Sequence, residues 1–181
     1  MQLRQMNLAY DRQQDRLLLR LSTSDDTEYR MWLTRRLVLG MWPGVVGLVQ
    51  STPAARQTVH PEAKRAVVEF QREHALRETE FGAPYQAEKL TPAIPGDPIL
   101  IWGIQMRPAP DGNGHDLNFL PKDGAGVHIR LQDQMLHAFV KLLQDVMRAA
   151  DWGIELKLPL EAPSATPAPG GGEAPKPAKP N

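Results

Sequence analysis

The sequence predicts an α+β fold made of two βββα repeats, antiparallel sheets backed by helices, with a connecting middle helix. Three observations predict it. Residues 1–33 alternate apolar and polar side chains, the period of half-buried strands. The stretch Glu28–Val49 (EYRMWLTRRLVLGMWPGVVGLV) then passes from that period straight into a helical one. A second stretch, Gly126–Met147, carries the same apolar pattern 98 residues later without a gap.

The elements follow in order. Met1–Tyr10 places Met6, Leu8 and Tyr10 on one face, and Asp11–Asp15 is a polar turn. Arg16–Thr23 places Leu17, Leu19 and Leu21 inward and Leu18 on the opposite face. Ser24–Thr27 is rich in turn formers, and Glu28–Leu33 then aligns Tyr29, Met31 and Leu33. Thr34 suits an N-cap. After it Leu37, Val38, Met41, Val45, Leu48 and Val49 form one helical face, which Pro43 should kink by removing a backbone donor. Gly40, Gly44 and Gly47 weaken this helix or let another backbone come close.

Ser51–His60 reads as a loop. Pro61 suits a first helical turn, and Glu62–Phe81 reads as a charged middle helix with a thin apolar stripe. Gly82–Pro98 holds four prolines and reads as an extended linker. Ile99–Met106 is a strand expected to carry Trp102, Ile104 and Met106 on one face. Asp111-Gly112-Asn113-Gly114 signals a hairpin turn. His115–Leu120 and Val127–Leu131 alternate again. Asp133 opens a helix with apolar positions Leu136, Phe139, Val140, Leu143, Val146, Met147 and Ala150, which Gly153 can end. Ile154, Leu156 and Leu158 read as a last short strand.

These elements compose one duplicated domain, residues 1–160. Repeat one spans 1–50, the middle helix and linker 51–98, and repeat two 99–158. Residues 161–181, mostly Pro, Ala and Gly, cannot bury enough apolar surface to offset ordering and are expected to be disordered. One three-stranded unit is too small to be stable alone, so two must share a core.

Composition narrows function. Lys plus Arg total 21 and Asp plus Glu total 21, so no general attraction to nucleic acid or anionic membrane exists, and such a partner needs a local patch. The absence of cysteine removes disulfides, thiolate metal sites and a cysteine nucleophile, and fits a cytoplasmic location. The N-terminus has no secretory pattern. The longest apolar run, Leu37–Val49, falls short of the roughly 20 residues a bilayer span needs, so a soluble protein without a membrane partner is expected. The five histidines show no metal spacing. No phosphate-binding, nucleophile-elbow or dinucleotide motif occurs. The reading is therefore non-catalytic, with no cofactor and no metal.

Two groups of residues could hold a ligand. Arg35 and Arg36 fall in a first helical turn, where free N–H groups also favour anions. They suit a phosphate or carboxylate, or they pair with Asp25, Asp26 or Glu28. The outer sheet face should show Arg20, Arg30 and Trp32 from the first repeat and Arg107, Asn118, His128 and Arg130 from the second. An aromatic among arginines on an open sheet suits stacked bases. The same face could instead be solvated, or covered by a partner or by the middle helix.

The string EYR-x-WLTRR, Glu28–Arg36, resembles that of a group of uncharacterised proteobacterial proteins. The doubled βββα order is similar, in topology only, to the Whirly and Pur-alpha class of single-strand-binding folds, whose repeats normally have four strands. The leading expectation is thus a binding module for single-stranded DNA or RNA, using Arg20, Arg30, Trp32, Arg35, Arg36, Arg107, His128 and Arg130. The competing one is a protein-interaction module acting as a homo-oligomer.

Overall fold

Alternating leucines fix the first sheet face. Leu17, Leu19, Leu21, Met31 and Leu33 are fully buried, and burying a leucine side chain is worth roughly 1.5–3 kcal/mol. The computed structural model describes residues 3–53, Phe70 and 85–158. Its elements are β1 (Leu3–Asp11), β2 (Arg16–Thr23), β3 (Thr27–Leu33), α1 (Arg35–Ser51), a 3-10 turn at Ala87–Lys89, β4 (Thr91–Pro92), β5 (Ile99–Pro108), β6 (His115–Pro121), β7 (Val127–Leu131) and α2 (Asp133–Ala150). The architecture is α+β. The middle helix expected over Glu62–Phe81, apart from Phe70, and the tail 161–181 lie outside the described residues.

The strands form one sheet in the order β1-β2-β3-β5-β6-β7, with β4 also against β3. Pairing is antiparallel except where β3 meets β4 and β5, which run parallel to it. The linker expected over Gly82–Pro98 therefore contributes a short strand. Corresponding rungs of the two ladders lie 98 residues apart. Leu19 faces Met31 and Leu117 faces Ile129; Leu8 faces Leu19 and Met106 faces Leu117. The register shifts between Leu3 and Gln5, and again between Ile101 and Gly103.

That second shift corrects one expectation. The extra residue turns Trp102 out to 54% exposure while Ile101 is buried, so Trp102 does not share a face with Ile104 and Met106.

Thr34 caps α1, its hydroxyl accepting from Leu37 N–H at 3.2 Å. The helix runs through Pro43 to Ser51. Gly44 lies close to Met106: a Cβ there would fall 2.5 Å from the Met106 Cε, whereas Gly40 and Gly47 face open space. α2 ends at Asp151, whose φ of 48° is left-handed, two residues before Gly153. α1 packs on β5 and α2 on β1, and the helices touch each other. One contiguous core joins all of them.

The last strand expected at Ile154–Leu158 does not form. That stretch is irregular chain held by side chains: Trp152 donates to Asp15 (2.7 Å), Gln144 to the Leu156 carbonyl (2.7 Å) and Trp42 to the Lys157 carbonyl (2.8 Å). Leu156 is buried all the same. Among the described residues, no helix is long and apolar enough to cross a membrane.

Candidate functional site

Strand alternation sends residues 18, 20, 28, 30 and 32 to the outer sheet face, because their neighbours at 17, 19, 29, 31 and 33 turn to the core. Two of these meet at once. Arg20 donates through Nε to Glu28 at 2.8 Å, and Glu28 is 5% exposed. Tyr85, from the segment before β4, covers the pair. Its hydroxyl donates to Glu28 at 2.9 Å and its ring lies 4.5 Å from the Arg20 guanidinium carbon. Burial, and then the Glu28 carboxylate, push the Tyr85 hydroxyl above its ordinary range. Arg30 donates to the carbonyl of Gly96. The segment 85–96 thus lies over part of this face.

Arg107, His128 and Arg130 converge on a second carboxylate. Asp116, on β6, is 5% exposed. It accepts from Arg130 Nε at 2.9 Å, with His128 Nε2 at 3.5 Å and Arg107 Nε at 3.7 Å. Arg130 also reaches Asp111 at 2.7 Å. The Arg130 hydrogen bond and the surrounding cations hold the Asp116 carboxyl below the usual carboxylate range. Beside it lies a depression of about 350 Å³, lined by Gln105, Met106, Arg107, Asp116, Asn118 and His128.

Trp32 is half-buried in a cross-strand row with Leu18 and Leu100, its register partners on β2 and β5. Arg35 and Arg36 are both exposed at the start of α1, where the first turn holds no acidic residue. They do not pair with the nearby carboxylates: Asp26 pairs with Arg4, Glu28 with Arg20, and Asp25 accepts from Thr27. Instead the Arg36 guanidinium carbon lies 5.9 Å from the centre of the Trp102 ring, and Lys122 Nζ lies 5.9 Å from the same ring.

The eight sequence-selected residues therefore fall into separate places. Arg20 and Arg30 sit under the 85–96 segment, Trp32 lies in the row with Leu18 and Leu100, Arg107, His128 and Arg130 surround Asp116, and Arg35 and Arg36 lie at the helix start. Glu28, Asp116, Tyr85, Trp102 and Lys122 were missed. Glu28 and Asp116 had a signal, since both stand at outward positions of strands whose neighbours carry arginine: Arg20 on β2, and Arg107 and Arg130 on β5 and β7. Trp102 had none, because nothing in the sequence marks the bulge that turns it outward.

No family model matches the chain, and neither does a curated protein or a solved structure.

Proposed function

We propose that the chain is a non-catalytic binding module that takes a single-stranded nucleic acid at Trp102, between Arg36 and Lys122. The observation that carries this is an indole more than half exposed with a cation from each of two separate elements beside its ring. A base can stack on such a ring whatever its identity, and the flanking cations pair with phosphates. Arg35 adds charge at the same helix start, whose free N–H groups favour anions. Arg20, Arg107, His128 and Arg130 contribute less, because a phosphate there competes with Glu28 or Asp116.

We also infer that the fold is a doubled βββα unit. The shared 98-residue offset of rungs, bulges and helices supports it.

The test is fluorescence anisotropy with a labelled oligothymidylate at low salt. A triple variant, Arg36→Ala, Trp102→Ala and Lys122→Ala, should bind at least tenfold more weakly, since one stacked base is worth about 1–3 kcal/mol. Absence of binding by the unaltered protein, or equal binding by the variant, overturns the reading.

A second reading rests on the Leu18–Trp32–Leu100 row, an apolar stripe on the outer face that would suit a second copy of the chain. It requires a dimer in sizing experiments that Trp32→Glu converts to a monomer.

A further inference from the structure

We propose that the depression beside Asp116 reads a guanine of the strand that stacks on Trp102. Arg107 donates to the base at O6 and N7, and the Gln105 and Asn118 amide oxygens accept from its N1–H and 2-amino group. This rests on the Trp102 reading above and names a base preference that stacking alone leaves open.

The depression lies across three adjacent strands. Gln105 on β5 faces Asn118 on β6, and Asn118 faces His128 on β7. Two residues along, Arg107 faces Asp116, and Asp116 faces Arg130. Leu117 and Ile129, between these two rows, are buried on the core side. Gln105 and Arg107 therefore share one side of β5, about 7 Å apart, a span that a purine can bridge. The volume of about 350 Å³ falls at the lower end of the roughly 300–1,000 Å³ of small-ligand sites.

The polar groups around it are not committed to one another. Among the described residues, neither the Gln105 nor the Asn118 side chain has a hydrogen-bond partner. Gly126 makes room for the Asn118 amide, since a Cβ there would fall 2.6 Å from its Oδ1. Arg130 is engaged by Asp116 and Asp111, at 2.9 and 2.7 Å. Arg107 is not. Its Nε stands 3.7 Å from Asp116, beyond hydrogen-bond reach, and its side chain is 75% exposed.

Charge selects the class of ligand. Arg107 and Arg130 stand against Asp116 and Asp111, so with His128 neutral the cluster carries no net charge. A phosphate gains little there. A neutral edge that offers both acceptors and donors fits better. Guanine presents O6 and N7 as neighbouring acceptors, which an arginine fork matches. Its N1–H and 2-amino group are donors, which amide oxygens accept. Adenine instead sets its 6-amino donor against the Arg107 donors. Trp102 and Gln105 are three residues apart on β5, about 10 Å at 3.3 Å per residue, so one short strand reaches both.

The test is fluorescence anisotropy on the full chain with an oligothymidylate in which one central base is replaced by guanine or by adenine. The guanine strand should bind about fivefold or more tightly than the adenine strand, the lower end of what one two-bond base contact discriminates. Gln105 and Arg107 are both exposed, so Gln105→Ala and Arg107→Ala leave the core intact. In each variant the ratio of the two affinities should fall towards one. In the isotope-labelled protein, the side-chain amide signals of Gln105 and Asn118 should move with the guanine strand and not with the adenine strand. Equal binding of both strands by the unaltered protein overturns the guanine site and leaves the Trp102 reading standing. A guanine preference that survives both substitutions overturns it too, because the base is then read elsewhere. Absence of binding by every strand overturns both readings.

Discussion

Arg130 bridges two carboxylates from different parts of the hairpin, donating through Nε to Asp116 on β6 and through Nη1 to Asp111 in the preceding turn. One guanidinium thereby ties β7 to the β5–β6 connection. The buried partner matters more. Asp116 is 5% exposed, and the Arg130 hydrogen bond and the charges facing it favour its ionised form.

Asp116 should make stability depend on acid. Its folded pKa lies below the ordinary value, so its contribution is fully present above the unfolded carboxylate value of about 3.9 and is lost as pH falls through the lowered folded value. Asp116→Asn should therefore lower the urea midpoint at pH 7 and flatten the loss of stability below about pH 4. Urea titrations of both proteins across that range check it. Parallel acid limbs would count against the pairing.

Salt dependence should report the Trp102 patch. Arg36→Ala and Lys122→Ala should each reduce the slope of log affinity against log salt by about 0.7 for a single strand. Arg107→Ala should change it less, because Arg107 already faces Asp116. Anisotropy titrations at several salt concentrations measure all three slopes.

Two glycines in one turn should differ. Gly112 and Gly114 both have positive φ, at 74° and 91°. A Cβ on Gly112 meets open space, whereas one on Gly114 would lie 2.3 Å from the Leu131 carbonyl oxygen. Gly112→Ala should cost about 1–2 kcal/mol from backbone strain alone. Gly114→Ala should cost clearly more, since rigid backbone must shift. Thermal melts of the two variants separate them.

Phe139 tests the core. It is 1% exposed on α2, and Phe139→Ala should cost about 3–5 kcal/mol. Leu39, 43% exposed on α1, should cost within about 0.5 kcal/mol of nothing on change to a polar residue. Denaturant unfolding of both gives the contrast.

Much of the fold was legible because alternation is a strong signal. Leu17, Leu19 and Leu21 could only be satisfied by turning together to one side, and they do. Thr34 marked its helix start for a local reason, a hydroxyl within reach of a free N–H. The misreadings came from where local pattern stops. One extra residue at Trp102 inverts the side it faces without changing composition. Ile154, Leu156 and Leu158 alternate like a strand, yet Trp42, Gln144 and Trp152 hold that stretch where, among the described residues, no strand pairs with it. The candidate site was harder still. Which carboxylate answers which arginine depends on cross-strand neighbours and on Tyr85, far away in sequence.

Only two rungs, Met31 with Ile99 and Trp32 with Leu100, join β3 to β5. Yet α1 lies on β5 and α2 on β1, like crossed arms. Neither side can melt while the other keeps its shape, because each would strip the other's helix of its seat. Loss of structure should therefore come as a single cooperative step.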